Sequence, residues 1–90
     1  MRVALICTDK PGALQIRMDT RTAHLAYIEQ TGVVEMAGPF LGTDGAMTGS
    51  LIVLSVDSLQ AAQDWAAGDP YAKAGLFADV SIREWKKVIG

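Results

Sequence analysis

Two stretches of this chain, RVALICT over Arg2–Thr8 and TGSLIVLSV over Thr48–Val56, have centres that are apolar at nearly every position, Val3–Cys7 and Leu51–Val56. Runs this short, rich in Val, Ile and Leu and bounded by turn residues, read as β-strands. Successive strand side chains point to opposite faces, so Leu51 and Val53 face one way and Ile52, Leu54 and Val56 the other. Both faces of such strands must be covered. That requirement excludes a sheet with one side open to water and directs the search to what covers each side.

The remaining segments supply helices for one side only. After the turn Asp9-Lys10-Pro11-Gly12, the apolar period changes: Leu14, Met18, Leu25 and Ile28 fall on one helical face, Arg21 fills the gap, and Gly32 supplies the stop. Asp19-Thr20 interrupts this pattern, which predicts a short first helix and a main helix from about Thr20 to Thr31 with Asp19 or Thr20 as its cap. VVEMAGPFL over Val33–Leu41 is strand-like, and Pro39 confines it to a sheet edge or a bend. Gly42–Met47 is a hairpin loop. Asp57-Ser58 opens a second helix, with Gln60 in capping-box position and Leu59, Ala62 and Ala66 as its inner stripe beside a core Trp65. The last strand, within Leu76–Val88, alternates Leu76, Ala78, Val80 and Ile82 against Phe77, Asp79, Ser81, Arg83 and Trp85, giving one dry and one mixed face. The order is β-α-β-β-α-β, which predicts a ferredoxin-like α+β fold: a four-stranded antiparallel sheet with two main helices on one face.

Ninety residues set the expectation of a single domain, 1–90, with a thin core. Half of the residues are apolar and 20% are charged, so the uncovered sheet face is expected to be greasy. A second copy of the chain packed sheet against sheet is the economical cover, and a homodimer is predicted. Net charge is −2 and no basic run exceeds Lys86-Lys87, which argues against nucleic acid or an anionic membrane as partner. The apolar N-terminal run is too short for a signal peptide and no stretch reads as a transmembrane span, leaving a cytoplasmic protein as the expectation. The single cysteine, Cys7, reads as core and allows neither an internal disulfide nor a thiolate zinc cage. With one histidine and one cysteine far apart, no metal site is expected, and no cofactor. Gly38 and Gly49 read as points of close backbone approach, since no glycine-rich loop leads from a strand into a helix.

The chemistry-bearing side chains gather in GDPYAKAG, Gly68–Gly75. Asp69 is pushed out of the helical region by Pro70 and is placed to cap a short new turn of helix. The competing reading gives the same carboxylate a role beside the only histidine, His24. Lys73 reads as solvated. Tyr71 offers either a hydroxyl donor or a lid over the domain edge.

Several motifs in fixed order resemble the YCII-related domain family of small dimeric α+β barrel proteins. They are Arg21-x-x-His24-Leu25, Ala37-Gly38-Pro39, Thr48-Gly49-Ser50, Ala61-Ala62-x-x-Trp65, Asp69-Pro70-Tyr71, Lys73-Ala74-Gly75-Leu76 and Trp85-Lys86-Lys87. The resemblance spans essentially the whole chain, although the Gly42–Met47 loop looks short for the family. It implies a dimer and an active site centred on a histidine and an aspartate, here His24 and Asp69. A dehydrochlorinase of chlorinated hydroxyquinones is among the few relatives with an assigned reaction.

The resemblance leads to a cofactor-free enzyme, a lyase or isomerase moving a proton on a small organic acid or phenol. His24 would be its acid or base and Asp69 its orienting partner. Arg21, one turn before His24, and Tyr71 are the candidate substrate-binding residues, while Trp85 is a candidate for the dimer interface. The alternative is a non-catalytic module that binds a small ligand. One expectation opposes the pairing. The two helices are expected to run parallel in this topology, so the end of the second lies beside Gly32, about 12 Å along the helix from His24.

Overall fold

The computed structural model describes residues 1–90 and contains seven elements: β1 (Arg2–Asp9), α1 (Leu14–Thr31), β2 (Val34–Leu41), β3 (Met47–Ser55), α2 (Leu59–Gly68), α3 (Pro70–Lys73) and β4 (Phe77–Trp85). The strands form one sheet in the order β2-β3-β1-β4, and every neighbouring pair is antiparallel. This is the ferredoxin-like α+β arrangement, with the apolar strands β1 and β3 at the centre. Pro39 lies on the edge strand β2, where its missing N–H costs no ladder bond.

Val3, Leu5, Cys7, Ile52 and Leu54 pack under the helices with Ala62 and Trp65. A register shift between Thr8 and Asp9 pairs Asp9 with Phe77 and Thr8 with Asp79. The extra residue in β4 is Ala78. Phe77 therefore packs against the core while Ala78 is exposed, the reverse of the simple alternation expected for this strand.

The helices do not run parallel. A helix that returns from one strand to the next runs against the strand before it. Since β1 and β3 are antiparallel to each other, so are the helices that follow them. The contacts descend accordingly: Trp65 Nε1 donates to Thr31 Oγ1 at 2.9 Å, Tyr27 Oη donates to the Trp65 carbonyl at 2.8 Å, and Asp69 meets His24. Tyr71 then packs with Ala13, at the start of α1. Gly68 permits this close run, because a Cβ there would stand 2.5 Å from the Tyr27 hydroxyl.

Helix α1 is continuous, with Asp19 accepting from Gln15 Nε2 at 2.8 Å and no break at Thr20. Gly32 ends it in the left-handed conformation, φ 67°. Its buried residues are Arg17 and His24, with Tyr27 and Ile28 half-buried. Leu14, Met18 and Leu25, expected inside, are 45%, 53% and 44% exposed. The inward face begins at Arg17 instead of Leu14, a rotation of roughly 60° at 100° per residue. Polar side chains occupy it because each has a partner there. In α2, Ser58 alone is the cap, accepting from Ala61 N at 3.1 Å, while Gln60 turns to Asp64 and Leu59 faces out.

Gly49 lies against β1, and a Cβ there would strike the Cys7 carbonyl. Gly38 has open space around it, so close approach does not explain that glycine.

Candidate active site

The site grows from the junction of α2 and α3. The proline at position 70 stops α2, Asp69 takes an extended conformation, and its Oδ1 accepts the Tyr71 N–H at 3.0 Å as the N-cap of α3. The same oxygen lies 2.7 Å from His24 Nδ1. The capping and the histidine-partner readings of Asp69 are thus both realised by one atom. A carboxylate can only accept, so Nδ1 carries the proton and Nε2 is left as the basic nitrogen, with no partner in the chain. Asp69 is 1% exposed and His24 6%. The Tyr71 ring stacks on the imidazole with centroids 3.9 Å apart and planes inclined by 15°. Carboxylate and ring together fix the imidazole.

A second polar cluster lies two turns earlier on α1. Arg17 donates from Nε and one terminal nitrogen to the two oxygens of Asp9, both at 2.8 Å, and its terminal nitrogen also donates to Ser50 Oγ at 3.0 Å. The same guanidinium sits 4.9 Å from the Tyr71 ring centroid. Tyr71 therefore bridges the two clusters. The sequence reading missed Arg17 and Ser50. The available signal for Arg17 was its spacing, since Arg17, Arg21, His24 and Ile28 follow a helical repeat of four, three and four residues.

These groups surround a cavity of about 190 Å³ between α1 and the helix-facing side of β2 and β3. It exists because β2 presents only Ala37, Gly38 and Pro39 beneath α1. Arg17, Arg21, His24, Ser50 and Tyr71 supply its polar wall, and Leu25, Ile28, Met47 and Ile52 its apolar one. An apolar cavity of about 150 Å³ holds benzene, so this one suits a single substituted ring. Arg21 is exposed at its edge and forms no ion pair within the chain. Lys73 is exposed, and no group of three or more His, Cys, Asp or Glu side chains is placed to hold a metal ion.

Burial is the largest single influence on the titration of Tyr71, Tyr27, Cys7 and Arg17. It raises the Tyr71 phenol above its ordinary value; Arg17 and Arg21 oppose the rise and Asp69 adds to it. Burial, then Asp69, raises Tyr27 as well. Cys7 is pushed up to about 12, by burial first and Asp69 next, against the pull of Arg17. Burial alone would lower Arg17, but its bonds to Asp9 outweigh this and leave it raised.

This constellation on a ferredoxin-like sheet defines a small α+β domain with a His-Asp pair beside a ring-sized pocket. The profile of the YCII-related domain matches residues 1–86, and the chain belongs to that family. It is 36% identical to protein YciI of Escherichia coli O6:H1 and 37% identical to an uncharacterized protein of Haemophilus influenzae, each over 98% of this chain and 99% of the relative. Among solved structures it is similar to the 5-chloro-2-hydroxyhydroquinone dehydrochlorinase TftG of Burkholderia phenoliruptrix AC1100, in complex with 2,5-dihydroxybenzoquinone. The TM-score is 0.88 and the identity 37%, over 96% of this chain and 94% of that one. An antibiotic biosynthesis monooxygenase, 12% identical with a TM-score of 0.61, shares the fold alone.

Alkaline titration checks the electrostatics. Both tyrosines should ionise above the ordinary pH 10, and Cys7 should resist a thiol reagent at pH 8 in the folded protein. Each of these groups binds its proton more tightly when folded. Their contribution is therefore complete below the unfolded pKa values, near 9 for the thiol and 10 for the phenols. It should be lost as pH rises from there through the folded values. A tyrosine titrating below pH 10 in the native protein would contradict this picture.

Proposed function

We propose that the chain is a homodimeric enzyme that moves a proton on a small cyclic acid or phenol, with His24 as the general base or acid. The observation that carries this reading is the buried His24-Asp69 pair, whose free Nε2 belongs to a residue lining a ring-sized cavity. In the proposed reaction Nε2 accepts the proton of an acidic O–H or C–H, whose electron pair stays on the substrate. Asp69 keeps Nδ1–H in place and stabilises the imidazolium. Arg21 binds an anionic substituent and Tyr71, a neutral phenol, donates to a substrate oxygen. In a dehydrochlorination of a chlorinated hydroxyquinol, the imidazolium returns this proton to the chlorine-bearing ring carbon, giving the keto tautomer. A second hydroxyl proton then passes to Nε2, its electron pair forms the new C=O and shifts the ring double bond, and chloride leaves with the C–Cl electron pair, so that one H⁺ and one Cl⁻ are released. The likeness to TftG, which was solved with a dihydroxyquinone, supports a hydroxylated ring as substrate class.

Turnover of chlorinated hydroxyquinones, muconolactones and similar acids tests this, with chloride release or absorbance as readout. His24→Ala should lower kcat by about 10²- to 10⁴-fold. Equal turnover by variant and wild type would remove His24 from the mechanism. Tight binding without conversion would favour the non-catalytic module.

The dimer is proposed from the face of the sheet away from the helices. Ile6, Met36, Phe40 and Trp85 are exposed there beside Ala4, Leu51 and Val53. Covering ~500 Å² of such surface per subunit contributes on the order of 12 kcal/mol at about 25 cal/mol per Å², before the costs of association. Light scattering at micromolar concentration should give twice 9.6 kDa, and the unfolding midpoint should rise with protein concentration. A monomer mass would refute the sheet-face dimer.

A further inference from the structure

We infer that Ser50 is a further substrate-binding group of the pocket beside Arg21 and Tyr71, a hydrogen-bond donor that Arg17 and Asp9 hold ready for an oxygen atom of the bound ring. The inference rests on the pocket reading given above and adds the residue that receives the oxyanion.

Ser50 lies on β3, paired with Cys7 of β1 and Pro39 of β2, on the helix-facing side of the sheet. It lines the cavity and is 4% exposed. A hydroxyl in such a place needs partners for both its lone pairs and its proton. One lone pair is taken by Arg17, whose terminal nitrogen donates to Ser50 Oγ at 3.0 Å. Arg17 cannot accept in return, so this bond fixes Ser50 as acceptor towards the arginine and leaves the O–H directed elsewhere. Ser50 forms no other hydrogen bond in the chain, so its proton has no acceptor there. By contrast Thr48, two residues earlier on the same strand, donates its hydroxyl to the Phe40 carbonyl.

The support behind Ser50 is rigid. Asp9 binds Arg17 through two parallel bonds, the bidentate geometry that restricts a guanidinium most. Asp9 also offsets the charge of Arg17, so the cluster delivers a polarised donor without adding a full positive charge to the pocket. The charge available for an anionic substituent is that of Arg21. The pocket thus divides its labour: His24 takes the proton from the substrate, and Ser50 donates to the oxygen on which negative charge collects, without giving up its own proton. Such a site selects rings carrying an oxygen substituent that becomes an oxyanion or carbonyl.

Binding of 2,5-dihydroxybenzoquinone, followed by calorimetry and by its absorbance, separates the two readings. Wild-type protein should bind it, and Ser50→Ala should bind it roughly tenfold more weakly, the worth of one buried hydrogen bond to a charged oxygen. Ser50→Cys, which keeps a similar shape but is a weak donor, should lose a comparable amount and so covers the case in which the alanine variant misfolds. The Tm of each variant in the absence of ligand reports whether it has folded. Undiminished affinity in a folded Ser50→Ala or Ser50→Cys protein would overturn the role of Ser50 and leave the His24 reading standing. Absence of binding by the wild type would overturn the pocket reading and this inference with it.

Discussion

One carboxylate oxygen, Oδ1 of Asp69, joins the three parts of this molecule that make the site. It accepts the N–H that starts α3 and the Nδ1–H of His24 on α1, at the point where α2 ends. Without it the turn after α2 loses its cap, and the imidazole loses its partner in a place where a buried polar group left unpaired costs about 1–3 kcal/mol. Tyr71 follows because the cap sets the direction of α3, which lays the phenol ring on the imidazole. The pocket wall then depends on a turn only four residues long.

The Arg17-Asp9 pair beside it shows how a thin core can still specify one arrangement. Buried ion pairs contribute little net stability, because desolvation consumes most of the attraction, yet breaking one by removing a partner costs about 3–5 kcal/mol. A helix face built from Arg17, His24 and Tyr27 has one rotation that satisfies all its partners, whereas an apolar face would tolerate several. The rotation that satisfies them leaves Leu14, Met18 and Leu25 outside. It also brings Arg17, Arg21 and His24 to the wall of one cavity above the small residues of β2.

The order of elements and the sheet were legible because central strands advertise themselves by continuous β-branched and aliphatic runs. Turn positions were legible through Pro11-Gly12, Gly32 and Asp69-Pro70. The inward face of α1 was not, because hydrophobic periodicity measures only the transfer of apolar groups, while this helix is seated by hydrogen bonds to residues far away in sequence. Arg17 finds Asp9 and Ser50, and His24 finds Asp69 at a separation of 45 residues. The face of Phe77 was hidden by the register shift opposite Thr8 and Asp9, which no alternation pattern reveals. The doubt over whether Asp69 could reach His24 came from taking the helices as parallel, when antiparallel β1 and β3 require the opposite.

The fixed imidazole is the centre of this account, and the chain has only one histidine. Nitrogen-15 NMR of the imidazole therefore reads the site without ambiguity. Nδ1 should carry the proton in the neutral ring, with slow exchange, and Asp69→Asn, which can offer an amide donor in place of the carboxylate, should change that signature. An Nε2–H tautomer, or rapid averaging between tautomers that ignores Asp69→Asn, would contradict it.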